Sequence, residues 1–245
     1  MADHLRPCAS IAADALLPGD PGRALALAQA LLEAPRMANH ARGLWGYSGA
    51  TAGGRPLTIQ ATGLGGPSVA VVLTELASIG VRRAIRIGTC RALAPALEPG
   101  DLLAADAAIG LDGTSAALGV KLPVEADRAL TEALMAGPAD VRAATVASTD
   151  LYYDPSGSER DREWLAAGAR AVDLGTAPAL ALGTRPGLAI ASGLVVTRSA
   201  DGRALGDDAV EAASIELARA GAAALAASPA PGADQPPPSG TLRLP

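Results

Sequence analysis

The sequence predicts one mixed α/β domain, and three observations carry that expectation. Short apolar runs of strand length alternate with segments of helical spacing along nearly the whole chain. No internal repeat interrupts the alternation. At 245 residues the chain is long enough for one α/β domain with its own core and too short for two comfortable ones.

Taken in order, Ala15-Leu16-Leu17 reads as a strand that stops at Pro18-Gly19-Asp20-Pro21-Gly22-Arg23. Residues 24–32 then have helical composition, so backbone amides at the turn point toward an anion that Arg23 could also reach. The same turn residues equally suit a solvated loop. Leu44 to Tyr47 and Leu57 to Thr62 read as a hairpin around Thr51-Ala52-Gly53-Gly54. Gly63-Leu64-Gly65-Gly66-Pro67-Ser68 opens a helix running from Val69 to Ser78; such a glycine cluster serves either ligand approach or helix–sheet packing. Strands follow at 84–87 and 101–105, a helix at 123–136 and a strand at 142–147. A polar loop covers 148–155 and holds Tyr152 and Tyr153. Beyond it come a helix at 159–167, a strand at 171–174, a helix at 176–182 and an apolar strand at 188–197 that ends in Arg198-Ser199-Ala200-Asp201-Gly202. The last helix, 208–227, has Val210, Ala213, Leu217, Ala220 and Ala224 on its burying face. The domain is expected over residues 1–227, with a disordered Pro/Gly-rich tail over 228–245.

The chemistry gathers at Ala84-Ile85-Arg86-Ile87-Gly88-Thr89-Cys90-Arg91, read as a buried strand that ends in a tight turn at Gly88. A guanidinium inside an apolar strand is costly unless it meets an anion, so Arg86 marks either one wall of an oxyanion pocket or a structural arginine–carboxylate pair.

Composition excludes several classes. The formal net charge of −5, with Lys121 the only lysine, gives no clustered basic surface for nucleic acid or an anionic membrane. No run of about 18 apolar residues suits a membrane span. Cys8 and Cys90 make no disulfide framework, and the expectation is a soluble cytoplasmic protein in a reducing compartment. His4 and His40 are the only histidines and lie in no metal-ligand cluster, so no metal is expected. Trp45, Trp164, Tyr47, Tyr152 and Tyr153 are the only rings of their kind available to stack on a planar ligand.

Five motifs, in order, resemble the nucleoside phosphorylase family of hexameric purine nucleoside phosphorylases and uridine phosphorylases. They are Pro18-Gly19-Asp20-Pro21 with Arg23; Arg42-Gly43 before Gly46-Tyr47-Ser48-Gly49; Gly63 to Ser68; Ile85 to Cys90; and Ser148-Thr149-Asp150-Leu151-Tyr152-Tyr153. The resemblance implies a three-layer fold in which a central mixed, partly barrel-like sheet is flanked by helices. It also implies that Gly19, Arg23, Arg86 and Thr89 bind phosphate, with Arg42 lent by a neighbouring subunit. His4 matches a histidine lent across the same interface to the sugar, so a homo-oligomer is expected, with a dimer as its minimal unit and a hexamer as the family pattern. Inorganic phosphate would be a co-substrate, with no other cofactor. Cys90, Arg91, Tyr152, Val172, Asp173 and Leu174 fall at the sugar and base positions.

The chain departs from the family pattern at three places. The family's Glu-Met-Glu is Asp173-Leu174-Gly175 here, its Ser-Asp aligns to Thr197-Arg198, and a usual glycine is Arg91. The ribose hydroxyls thereby lose an acceptor, and stabilisation of the leaving base falls to Asp201, Arg198 or Arg91. Arginine can stabilise negative charge but cannot donate its proton at neutral pH, which favours a pyrimidine-like or modified leaving group. The sequence therefore supports phosphorolysis of an unusual nucleoside. It also supports a homologue that binds a phosphate-containing ligand or has been recruited to other chemistry.

Overall fold

The structure, a computed structural model, describes residues 2–119, 121 and 123–228. Its elements are β1 (Asp14–Pro18), α1 (Pro21–Leu31), β2 (Leu32–Asn39), β3 (Gly46–Thr51), β4 (Pro56–Gln60), α2 (Gly65–Ser78), β5 (Arg83–Ala92) and β6 (Leu102–Gly110). They continue with α3 (Gly113–Leu118), β7 (Val124–Glu125), α4 (Arg128–Met135), β8 (Val141–Ser148), α5 (Gly157–Ala166), β9 (Ala171–Asp173), α6 (Thr176–Gly183), β10 (Ala189–Arg198) and α7 (Asp207–Ala227). Of the expected tail only Ser228 is among the described residues; its carbonyl accepts a hydrogen bond from Arg83 Nη1 at 2.6 Å.

Five strands close on themselves. β5 pairs β10, β10 pairs β6, β6 pairs β8, β8 pairs β9 and β9 returns to β5. Inside this barrel Cys90, Ala92, Leu103, Ala105, Ala144, Val146, Ala171, Leu194 and Val196 form one buried cluster, and its small side chains suit so narrow a ring. From the other edge of β5 the sheet extends through β1, β4, β3 and β2. One face packs Leu16, Ile59, Ile85 and Ile87 with Leu27 of α1, Leu134 of α4 and Leu217 of α7. The other packs Leu17 and Ala84 with Val69, Leu73 and Leu76 of α2 and Leu180 of α6. The result is three layers, helix on sheet on helix, as the resemblance implies.

Several local expectations are corrected. The segment Gly88-Thr89-Cys90 is no tight turn: β5 runs on to Ala92, because β10 on one side and β9 on the other supply ladder partners for its backbone. The helix expected at 123–136 is a short strand, β7, followed by α4, which starts only where the Asp127 carboxylate accepts the Leu130 N–H at 2.9 Å as an N-cap. β2 and α3 were not anticipated, and β6 extends five residues beyond the expected 105. On α7 the burying face falls on Ser214, Leu217, Ala218, Ala220, Gly221, Ala224 and Leu225, with Val210 and Ala213 only half-buried.

Candidate anion and nucleoside site

The anion wall is built where β1 hands over to α1. Asp20 caps that helix, its carboxylate accepting the Arg23 N–H at 2.8 Å, with Pro21 in the first turn. The cap fixes Arg23 in the first turn of α1. β1 lies parallel to β5 in the register Leu17 to Arg86 and Pro18 to Ile87, which brings Gly19 level with Gly88 and Thr89. On the other flank the Thr62 N–H donates to the Pro18 carbonyl at 2.9 Å, closing the corner with the end of β4.

Two guanidiniums share this corner. Burial pushes Arg23 below its ordinary pKa; the charge of Asp20 opposes that shift and the charge of Arg86 adds to it. Among the described residues no carboxylate lies within ion-pairing distance of Arg23. Arg86, 8% exposed, meets the Asp173 carboxylate through Nη1 at 3.0 Å and Thr176 Oγ1 at 3.5 Å. Its Nε is buried with no partner. The arrangement bears on both alternatives read from the sequence: one nitrogen sits in an arginine–carboxylate pair while Nε has no partner. The guanidinium lies over Gly88, where a Cβ would overlap Nη1. That glycine is what lets the side chain fold back along its own strand.

Asp173 has its acceptor positions filled by the protein. Its Oδ1 accepts from Ser148 Oγ at 2.7 Å and from the N–H groups of Gly175 and Thr176 at 3.2 and 3.1 Å. Its Oδ2 accepts from Thr176 Oγ1 at 2.9 Å in addition to Arg86. One carboxylate therefore ties β8, the start of α6 and Arg86 together, a contact that local sequence pattern gave no means to foresee. Val172 is buried beside it and Leu174 half-buried. Cys90 is buried in the barrel, with Sγ 3.7 Å from the Val195 carbonyl. Burial raises its pKa, helped by the Asp173 charge and opposed by Arg86, so the thiol stays protonated.

The remaining candidates sit further along the strands or outside the corner. Arg91 forms a two-pronged pair with Asp161 of α5, both bonds at 2.8 Å. Arg198, opposite Arg91 in the β5–β10 ladder, is exposed and donates to the Gly202 carbonyl at 3.0 Å. Asp201 accepts from Ser199 Oγ and from Arg203 Nε at 3.1 Å. Those two bonds, the Ser199 bond first, hold the Asp201 carboxyl below its usual range and keep it ionised, the opposite of what a proton donor needs. Tyr152 is exposed and meets Tyr153 edge to face, ring centres 4.8 Å apart.

His4 and Arg42 are held on other elements. The Glu75 carboxylate of α2 accepts the N–H of Asp3 at 3.1 Å, of His4 at 3.0 Å and of Leu5 at 2.7 Å, while His4 Nδ1 lies 2.7 Å from its Oε1. Glu75 was not singled out from sequence; a lone acid on the burying face of an apolar helix was the available signal. Arg42 is exposed in a single 3₁₀ turn and adopts a left-handed backbone, φ 58°. Among the described residues no hydrogen bond or ion pair joins His4 or Arg42 to Arg23 or Arg86. No cluster of three or more His, Cys, Asp or Glu is placed to hold a metal, and no helix is long and apolar enough to cross a membrane, again among the described residues.

A family model described as the phosphorylase superfamily matches residues 14–228. A uridine phosphorylase of Klebsiella aerogenes is 38% identical over 152 residues, covering 60% of this chain and 58% of that protein. A DeoD-type purine nucleoside phosphorylase of Caldanaerobacter subterraneus is 35% identical over 181 residues, 68% of this chain and 74% of the relative. The match to the uridine phosphorylase thus spans less than two thirds of that relative. In three dimensions the uridine phosphorylase of Vibrio fischeri matches 88% of this chain and 92% of its own with a TM-score of 0.80 at 22% identity, a likeness of fold.

Proposed function

The chain belongs to the phosphorylase superfamily, and on that premise we propose that it cleaves the N-glycosidic bond of a nucleoside by attack of inorganic phosphate. The observation that carries this reading is the pairing of a half-buried, carboxylate-free Arg23 with a buried Arg86 whose Nε has no partner. Two cations so placed repel each other unless an anion lies between them. Phosphate held there by Arg23, Arg86, Gly19 and Thr89 would attack the anomeric carbon as the bond to the base breaks. The products are the free base and a pentose 1-phosphate. Holding the dianion in line next to a sugar that develops oxocarbenium character is the positioning and electrostatic part of the catalysis.

The substrate is an unusual or modified nucleoside. Asp173 is saturated by protein donors, and Gly175 offers no side chain, so neither supplies a free carboxylate to ribose hydroxyls. On the leaving-group side Asp201 is held ionised and Arg91 and Arg198 cannot give up a proton, which suits a base that departs as a stabilised anion. These same substitutions favour a second reading, a homologue that binds a phosphate-containing ligand without cleaving it. The working unit is at least a dimer, since Arg42 and His4 would reach the anion and the sugar only from a neighbouring copy.

Uridine, inosine, adenosine and 5'-modified nucleosides incubated with and without phosphate decide between the readings. Free base released only when phosphate is present supports phosphorolysis. Binding of phosphate without release from any nucleoside favours the second reading. Arg86→Ala should reduce phosphate affinity at least 100-fold in calorimetric titration, and unchanged affinity would remove the anion site altogether.

A further inference from the structure

A groove of about 340 Å³ lies at the end of β1 remote from Gly19, between the C-terminal turns of α1 and α7 and the turn joining β3 to β4. That volume falls in the range of small-molecule sites. Leu57 and Leu225, both buried, and the half-buried Leu31 give it an apolar wall, while Asp14, Arg55 and Arg219 bring charge to it. The charges do not cancel. Both oxygens of Asp14, the only carboxylate among the described residues that line the groove, are gripped by Arg83 at 2.7 and 2.6 Å. Arg55 Nη2 is left with longer contacts, 3.7 Å to Asp14 Oδ2 and 3.5 Å to the Leu225 carbonyl. Arg219 is exposed on α7 and makes no hydrogen bond or ion pair among the described residues. With Asp14 and Arg83 neutralising each other, the groove keeps the positive charge of Arg55 and Arg219 beside its leucines.

We propose that this groove is a binding site for a small carboxylate with an apolar body, a short- or medium-chain fatty acid, received by Arg55 and Arg219 at its head and by Leu31, Leu57 and Leu225 along its chain. An occupant has to match both parts of the groove. A cation is repelled by the two arginines, and an inorganic anion leaves the leucines facing water. A neutral hydrocarbon gives the guanidiniums nothing to bind, whereas a carboxylate meets their planar N–H forks with two acceptor oxygens. The groove contains no aromatic ring to stack on a flat ligand, which favours an aliphatic chain over an aromatic acid. The site is separate from the corner of Gly19, Arg23 and Arg86, and it stands or falls independently of the phosphate-dependent reading.

The test is a methyl NMR titration of the full-length protein, labelled at leucine, with butanoate, hexanoate and octanoate and with the neutral hexanamide. The methyl signals of Leu31, Leu57 and Leu225 should shift with all three acids, and the affinity should rise about two- to fourfold for each added methylene. Arg55→Gln and Arg219→Gln, both at exposed positions, should each weaken hexanoate about three- to fivefold with the thermal transition retained, and leave the weaker binding of hexanamide unchanged. Hexanamide binding as tightly as hexanoate overturns the inference, since charge then selects nothing. Affinity independent of chain length also overturns it, because the acids then meet only surface arginines. So does the lack of any shift of the three leucines up to the solubility of octanoate. Two other occupants would appear before any acid is added, and either overturns the proposal. Contacts from Leu242 or Leu244 to the groove methyls would assign the groove to the end of this chain, and groove signals that move with protein concentration would assign it to a second copy.

Discussion

Two buried arginines stand three residues apart on β5, and the chain treats them differently. Arg83, 4% exposed, has every nitrogen engaged: Nε and Nη2 grip the two oxygens of Asp14 at 2.7 and 2.6 Å, and Nη1 donates to the Ser228 carbonyl at 2.6 Å. Arg86 spends one nitrogen on Asp173 and Thr176 and leaves Nε without a partner. Burial and charge are alike in the two, so neither marks function. What separates them is leftover donor capacity: the saturated guanidinium fastens β1 and the end of α7 to β5, and the unsaturated one faces a corner where Arg23 has no carboxylate within ion-pairing distance.

The contrast can be broken most severely from the structural side. Asp14→Ala leaves the Arg83 cation buried without its main counter-charge, for which about 3–5 kcal/mol of lost stability is expected. Chemical denaturation measures it. The phosphate affinity of the molecules that remain folded should stay near the wild-type value, because Asp14 and Arg83 lie at the opposite end of the β1–β5 pairing from Gly19. A loss of affinity comparable to that of Arg86→Ala would mean that the two arginines act as one unit, and the distinction drawn from their partners would fail.

Arg91 offers a milder version of the same comparison. Its double contact with Asp161 resembles that of Arg83 with Asp14, but both side chains are about one third or one quarter exposed, at 34% and 26%. Solvent screening should reduce the coupling to about 0.5–1 kcal/mol in a double-mutant cycle of Arg91→Ala and Asp161→Ala. Additive single variants, with no coupling at all, would show that Arg91 is available to a ligand in solution and should be grouped with Arg86.

Much of this was legible in the sequence where the signal is local. The run around Arg86, the hairpin of β3 and β4, the Asp20–Pro21 start of α1 and the long α7 all follow from apolar patterning and capping residues. The misses have physical causes. β2 carries Pro35 and five consecutive exposed residues, 33–37, so it shows neither alternation nor a clean strand composition; as the last strand at one edge of the sheet it tolerates both. β5 continues past Gly88 because β9 and β10 pair with it, and those partners are 79 residues or more away. The candidate site divides in the same manner. Gly19, Arg23, Arg86 and Thr89 can be proposed from sequence because their motifs are local. The Ser148 and Arg86 contacts of Asp173, the diversion of Arg91 to Asp161 and the strap formed by Glu75 join residues 25 to 87 positions apart. No window of sequence contains both partners.

Glu75 is the anionic counterpart of Arg83, a buried charge saturated by donors of its own chain, and it supplies the smallest and most local effect. Burial alone would raise its pKa, but the N–H of Leu5, the ring and N–H of His4 and the N–H of Asp3 together hold the carboxyl below its ordinary value. For an acid depressed in the folded state, the stabilisation is fully present above the unfolded pKa of about 4.3 and is lost as pH falls through the lower folded value. The strap of residues 3–5 on α2 should therefore loosen only in acid below that point, while the barrel stays closed. Amide exchange at Asp3, His4 and Leu5, followed from pH 6 to pH 3 and corrected for intrinsic rates, reads the opening directly. Glu75→Gln should flatten the pH dependence and leave the strap looser at pH 6, since a neutral amide accepts those N–H groups more weakly. Protection that is unchanged at pH 3 in the wild type would show that Leu5, buried against α2 and α6, holds the segment by packing alone. The strap would then owe nothing to the saturated charge, and the rule that separates Arg83 from Arg86 would not extend to anions.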